Sequence, residues 1–187
     1  IPILVVTAAK HQNPWAVVSG AIYGAALLIM FTVSSIYHGL PVGTAKRVMR
    51  VIDHCDIYFL IAGTYTPILL VGIRPINSAM AWTIFGVEWA LAATAVTLNA
   101  IDLKRFEKVS MVCYIGMGWC VIAVLQVTIQ AMTMNGFLLL LYGGIAYTIG
   151  AVLYGIGKKV RYMHSVFHVF VLIGSVLQFF AILNYVI

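Results

Sequence analysis

Charge is scarce in this chain. Of 187 residues only 9% are charged, with five acidic side chains against eleven Lys and Arg. A soluble domain is about a quarter charged and about half apolar. Here 63% of residues are hydrophobic and the mean hydropathy is +1.05, which excludes a soluble globular domain. Proline is also rare, at five. Short alternating apolar segments are missing, so a transmembrane barrel is excluded too; the apolar runs are long and continuous, as membrane helices require. Cysteine is limited to Cys55, Cys113 and Cys120, all inside apolar stretches and without paired metal-type spacing. They read as small buried hydrophobes, not as a disulfide framework or metal ligands. The loops leave no room for a soluble domain. The net charge of +6 does not point to nucleic acid, because the basic residues fall between apolar runs, where membrane topology accounts for them. The first residue is Ile1 and the stretch to Ala9 is too short to span a bilayer. The chain is expected to begin part-way through a first transmembrane helix, and no signal peptide is legible.

Polar punctuation divides the remainder into six full apolar segments. The spacing predicts helices from about Trp15 to Leu40, Val51 to Ile73, Ala79 to Asn99, Met111 to Met132, Gly136 to Gly157 and His164 to Ile187. With the partial first helix, this is an all-α membrane bundle of seven transmembrane helices in a single domain, 1–187. Basic residues alternate between its loops. Lys46, Arg47 and Arg50, then Lys104, Arg105 and Lys108, then Lys158, Lys159 and Arg161 share one side; only Lys10 and Arg74 occupy the other. The positive-inside rule makes the first set cytoplasmic, with the N-terminus inside and the C-terminus outside. That is the reverse of the usual arrangement of G-protein-coupled receptors.

Against this topology the polar residues converge. His164 and His168 open the last helix four residues apart, which puts both imidazoles on one helical face. His38 ends the second helix and Asp53 opens the third, each beside a basic loop. All four fall near the cytoplasmic ends of their helices, and that placement was obtained from Lys and Arg alone. Three imidazoles and a carboxylate at one depth form a metal-site constellation. Three histidines plus water is the ligand set of a catalytic zinc site, with a fourth position open to water of lowered pKa. Asp53 would bind the metal or take a proton from that water. Ser34, one turn before His38, would orient Asp53 or the water, or stabilise an oxyanion. Such a site at the membrane boundary suits hydrolysis of a lipid amide or ester.

Each residue also has a plainer reading. The histidine pair and His38 would bond backbone or headgroups; Asp53 would pair with Arg50 or Arg47; Ser34 would bond back to the preceding turn. His54 points about 100° away from Asp53 and ranks below the other three histidines. Asp56 would face the same cavity or pair with a loop cation. Glu88, in mid-helix, reads equally as a proton-relay group or as a protonated interhelical donor. Gly63-Thr-Tyr-Thr-Pro67 predicts a kink whose Thr hydroxyls satisfy freed backbone groups. Gly143, Gly144 and Gly150 read as close-packing positions.

Ser34-Ser-Ile-Tyr-His38, the run from Asp53 to Pro67, and His164-Ser-Val-Phe-His168 resemble the motifs of the bacterial hemolysin III family. That group is similar to the progestin and adipoQ receptors, including the adiponectin receptors, and belongs to a superfamily with the alkaline ceramidases. The resemblance covers essentially the whole chain, with the motifs in order. It implies a seven-helix bundle with its N-terminus inside and an intramembrane zinc held by His38, His164 and His168, with Asp53 beside it. It further implies lipid-amide hydrolysis in a multi-pass protein of the bacterial plasma membrane, with membrane lipids as partners. Two other functions stand as alternatives: a sensor of membrane state in which zinc only clamps helices, and a pore-forming lysin independent of the histidines. The last is disfavoured, since beyond Glu88 the mid-membrane positions carry little charge to line a conduit. Asp56 stands where relatives are expected to carry a small apolar residue.

Overall fold

Helix starts are written into the sequence where Asn precedes an apolar run. The side chain of Asn13 accepts from the backbone N–H groups of Trp15 and Ala16 at 3.1 and 3.3 Å, with Pro14 in the first turn. Asn77 accepts from Met80 N at 3.0 Å. These caps supply acceptors for donors that the helix itself leaves unbonded. The computed structural model describes residues 2–157 and 162–187, apart from the side chain of His164. Its elements are α1 (Pro2–Lys10), α2 (Pro14–Gly39), α3 (Thr44–Pro67), a π-helical segment (Ile68–Ile73), α4 (Ser78–Asp102), α5 (Glu107–Gly118), a 3-10 segment (Cys120–Val124), α6 (Leu125–Ile156) and α7 (Met163–Tyr185). No strand occurs among the described residues. Among the described residues, five stretches are long and apolar enough to cross a membrane: Pro14–Gly39, Thr44–Ile73, Ser78–Asp102, Glu107–Ile156 and Ser165–Tyr185.

Two boundaries depart from expectation. The helix α3 begins at Thr44, seven residues before Val51. Lys46, Arg47 and Arg50 end the apolar segment but are good helix formers, so charge stops the membrane span without stopping the helix. The expected helix 111–132 is instead α5, a 3-10 turn and the start of α6. The predicted turn at Thr133 is present: this residue leaves helical geometry inside α6, with φ 62° and ψ 168°. The chain reverses there. Trp119 and Thr148 lie fourteen residues before and fifteen after it, and Trp119 Nε1 still donates to Thr148 Oγ1 at 3.0 Å. A straight helix would hold them more than 40 Å apart, at ~1.5 Å per residue. The long apolar stretch is therefore two antiparallel arms.

The helices form two compact units, one comprising α1 to α5 and the other running from Trp119 to Val186. In the first, α3 is the central helix, its apolar span far more buried than any other. Tyr58 and Ala62 of α3 pack with Ala92 and Ala95 of α4 and Met117 of α5. Gly63 lets α3 approach α2: a methyl group there would lie 2.9 Å from Ala26 Cβ. Polar contacts tie the same elements. Ser110 Oγ donates to Asn99 Oδ1 at 2.7 Å, Tyr114 OH to the His54 carbonyl at 2.7 Å and Tyr65 OH to the Gly118 carbonyl at 2.9 Å. The antiparallel course of α3 and α4 brings Lys46, Arg47 and Arg50 to the same end of the unit as Lys104, Arg105 and Lys108, with Lys10 and Arg74 at the other.

The kink at Pro67 is built differently from expectation. Thr64 and Thr66 donate to the carbonyls of Leu60 and Ala62, flanking the Gly63 carbonyl that Pro67 deprives of its N–H. The register is instead absorbed by widening to a π-helix, closed by Arg74 N on Leu69 O at 2.8 Å.

In the second unit, α6 and α7 pack through glycines at seven-residue intervals. Gly136, Gly143, Gly150 and Gly157 meet Tyr185, Gln178, Phe170 and Met163 in turn. Gly174 returns the contact from α7, and Tyr147 and Ser175 join their hydroxyls at 2.7 Å. Gly144, also expected to be a packing position, faces open space because it lies 100° round the helix from Gly143.

Candidate metal centre

The depth of each donor follows from helix register. Asp53 is ten residues back from Gly63 on α3, and Gly63 crosses α2 at Tyr23 and Ala26. Ten residues onward along the antiparallel α2 is the interval 33–36. Asp53 therefore stands level with Ser34, with His38 one turn nearer the basic end. His38 is exposed in the last turn of α2, and Ser34 is half-buried. Ser34 makes no hydrogen bond among the described residues; the back-bonding expected of it belongs to its neighbour Ser35, which donates to Phe31 O at 2.7 Å.

Asp53 is 15% exposed and, among the described residues, is not paired with arginine. Arg47 is turned to Thr44 Oγ1 at 3.1 Å. The neighbour of the carboxylate is His54, whose Nδ1 is 3.8 Å from Oδ2. That Nδ1 also lies 2.8 Å from the Arg50 carbonyl. A carbonyl only accepts, so Nδ1 carries the proton and Nε2 is left with the lone pair. His54 is thus held in one tautomer beside Asp53, its neighbour in the chain. Among the described residues Asp56 is not paired with a loop cation either, and its Oδ2 is buried without a hydrogen bond. It lies seven residues before Gly63, on the side of α3 that meets α2.

On α7, His164 and His168 occupy the first two turns, so their Cα atoms are stacked on one face. The side chain of His164 lies outside the described residues. His168 is half-buried, with its ring 5.1 Å from that of Phe167. It is seven residues before Ser175, on the stripe of α7 that faces Tyr147 of α6. Among the described residues no three His, Cys, Asp or Glu side chains gather at one metal-sized point. No disulfide joins the cysteines among the described residues; Cys55 Sγ is 3.9 Å from Val96 O. Glu88 is 1% exposed, on the face of α4 that carries Ala92 and Ala95, beside the Trp89 indole that donates to Thr66 Oγ1 at 3.2 Å.

Long apolar helices with basic ends and a few buried polar groups define a polytopic helical membrane protein. Residues 1–179 match the family described as Haemolysin-III related, and the chain belongs to that family. It is 37% identical to Hemolysin-3 of Bacillus cereus over 185 residues, covering 99% of this chain and 83% of that one. It is 36% identical to the Hemolysin-3 homolog of Bacillus subtilis, covering 97% and 84%. Identity to the human monocyte to macrophage differentiation factor is 29%, covering 99% and 79%. No solved structure matches.

Proposed function

We propose that the chain is a seven-helix, zinc-binding protein of the bacterial plasma membrane, N-terminus inside, that hydrolyses an amide or ester bond in a membrane lipid. The observation that carries this reading is the state of Asp53. Among the described residues it is a largely buried carboxylate with no arginine or lysine on it, although Arg47 and Arg50 lie within two turns. A carboxylate kept from neutralisation at a membrane boundary is costly and points to a ligand or a reacting group. His38, His164 and His168 would hold the zinc, which when bound supplies a Lewis acid. The chain's own groups do the rest. The Asp53 carboxylate takes the proton of the attacking water, and Ser34, level with it, holds that water or the carboxylate by a hydrogen bond. His54, its Nδ1–H committed to Arg50, fixes the backbone and electrostatics beside Asp53. The exposed apolar flanks of α2 and α3 leave the acyl chain in lipid while the scissile bond meets Asp53.

The test is the metal content of detergent-purified protein by mass spectrometry, beside His168→Ala. One zinc per chain, lost in the variant, is expected, followed by release of fatty acid from a ceramide or another lipid amide. Zinc without turnover of any lipid amide or ester would replace hydrolysis by a structural clamp. No metal in either protein would overturn both readings and make vesicle leakage the next assay, in line with the lysis named in the Bacillus relatives.

A further inference from the structure

At the end of the first unit away from the basic loops, one guanidinium is set on a tryptophan at the rim of the helices. The Cζ of Arg74 lies 4.2 Å from the centre of the Trp15 ring. Its Nε donates to Leu70 O at 2.9 Å. Trp15 in turn meets Trp82 edge-on, at 5.9 Å and 76°. Both indoles face outward, 39% and 44% exposed.

Stacking and the Leu70 bond hold the guanidinium in one orientation, yet they use only one of its five N–H donors. The other four make no hydrogen bond among the described residues, and Arg74 is in no ion pair. The unit has no acidic side chain at this end to offer it. Asp53 and Asp56 lie in the first half of α3, Glu88 is buried in mid-α4, and Asp102 and Glu107 flank the loop at the opposite end. The depth is also defined. Arg74 is 24 residues beyond Arg50 on one continuous helical path, about 35 Å at helical rise. That is close to the ~30 Å of a bilayer core, so Arg50 and Arg74 mark its two boundaries. Exposed indoles at such a boundary sit at headgroup level.

An oriented fork of guanidinium donors, flanked by lipid-facing indoles and lacking a carboxylate, matches one chemistry at that depth: two oxygens of a phosphodiester. We propose that Arg74, with Trp15 and Trp82, binds the phosphodiester headgroup of a membrane glycerophospholipid on the face opposite the basic loops. The site is independent of the metal centre.

The experiment is native mass spectrometry of the full chain in mild detergent, titrated with dioleoyl phosphatidylglycerol. Arms with dioleoylglycerol, which lacks the phosphate, and with inorganic phosphate as competitor separate headgroup from acyl chain and from free anion. The wild type is expected to retain the phospholipid about tenfold better than the diacylglycerol, and Arg74→Gln to lose that margin. Lys10→Gln, which removes the other positive charge at this end, is expected to change retention less than about twofold. Equal retention of both lipids, unchanged retention in Arg74→Gln, or abolition by inorganic phosphate alone would each overturn the proposal. If Arg74→Gln does not fold, Arg74→Lys decides. It keeps the charge and loses the fork and the stack, so a clear loss of retention is expected and wild-type retention refutes the site.

Discussion

Gly143 and Gly144 are a matched pair for testing the helix interface of the second unit. They are neighbours in the same helix and differ only in what a methyl group would meet. At Gly143 it would lie 2.7 Å from Gln178 Cγ and 3.1 Å from the Gly174 carbonyl oxygen. The first atom belongs to a flexible side chain and can move. The second is backbone, so relief requires α7 to shift. Overpacking of this kind costs about 1–3 kcal/mol. At Gly144 nothing lies within 4 Å. There Ala is expected to stabilise by about 0.5–1 kcal/mol, the ordinary gain over Gly in a helix. The same gain operates at Gly143, so the contrast between the two variants isolates the contact. Gly144→Ala should be more stable than Gly143→Ala by about 1–3 kcal/mol, or roughly 2–12 °C in Tm for a chain of this size. Thermal unfolding in one detergent, followed by helical circular dichroism, measures the difference. Equal midpoints for the two alanines would refute the close approach of α6 and α7 at Gly143, and with it the seven-residue glycine seam.

Thr133 is a β-branched residue held at φ 62°, and relief of such strain by Gly is worth about 1 kcal/mol or more. Thr133→Gly is therefore expected to raise the unfolding midpoint, and a lowered midpoint would mean that the turn is set by the Thr side chain. In the first unit, Asn99 bridges Ser110 at 2.7 Å and Tyr58 at 3.4 Å, all buried. Asn99→Ala should cost about 1–3 kcal/mol by leaving those hydroxyls short of a partner. Chemical unfolding that shows less than a few tenths would take the network out of the account of stability.

Much of the protein was legible in one dimension because a bilayer imposes a one-dimensional rule. Each span must be long, apolar and hydrogen-bonded within itself, so composition and run length located the helices. The turn at Thr133 and the packing roles of Gly143 and Gly150 were equally visible. The start of α3 was not, since lysine and arginine end a membrane span and continue a helix alike. Nor was the π-widening after Pro67, because a lost N–H can be absorbed in several ways and the neighbouring helices choose among them. At the candidate site the sequence supplied the residues and their order: His38, Asp53, His164 and His168 beside basic loops, and Ser34 a turn from His38. Contacts between helices decided the rest. The approach of Gly63 to Ala26 puts Asp53 level with Ser34; the turning of Arg47 to Thr44 keeps that guanidinium off Asp53; the bond from His54 to Arg50 assigns the proton of that ring. Spacing along a chain states which side chains share a helix face. Only packing states which of them meet, because that depends on the distance of closest approach between helices, and here single glycines determine it.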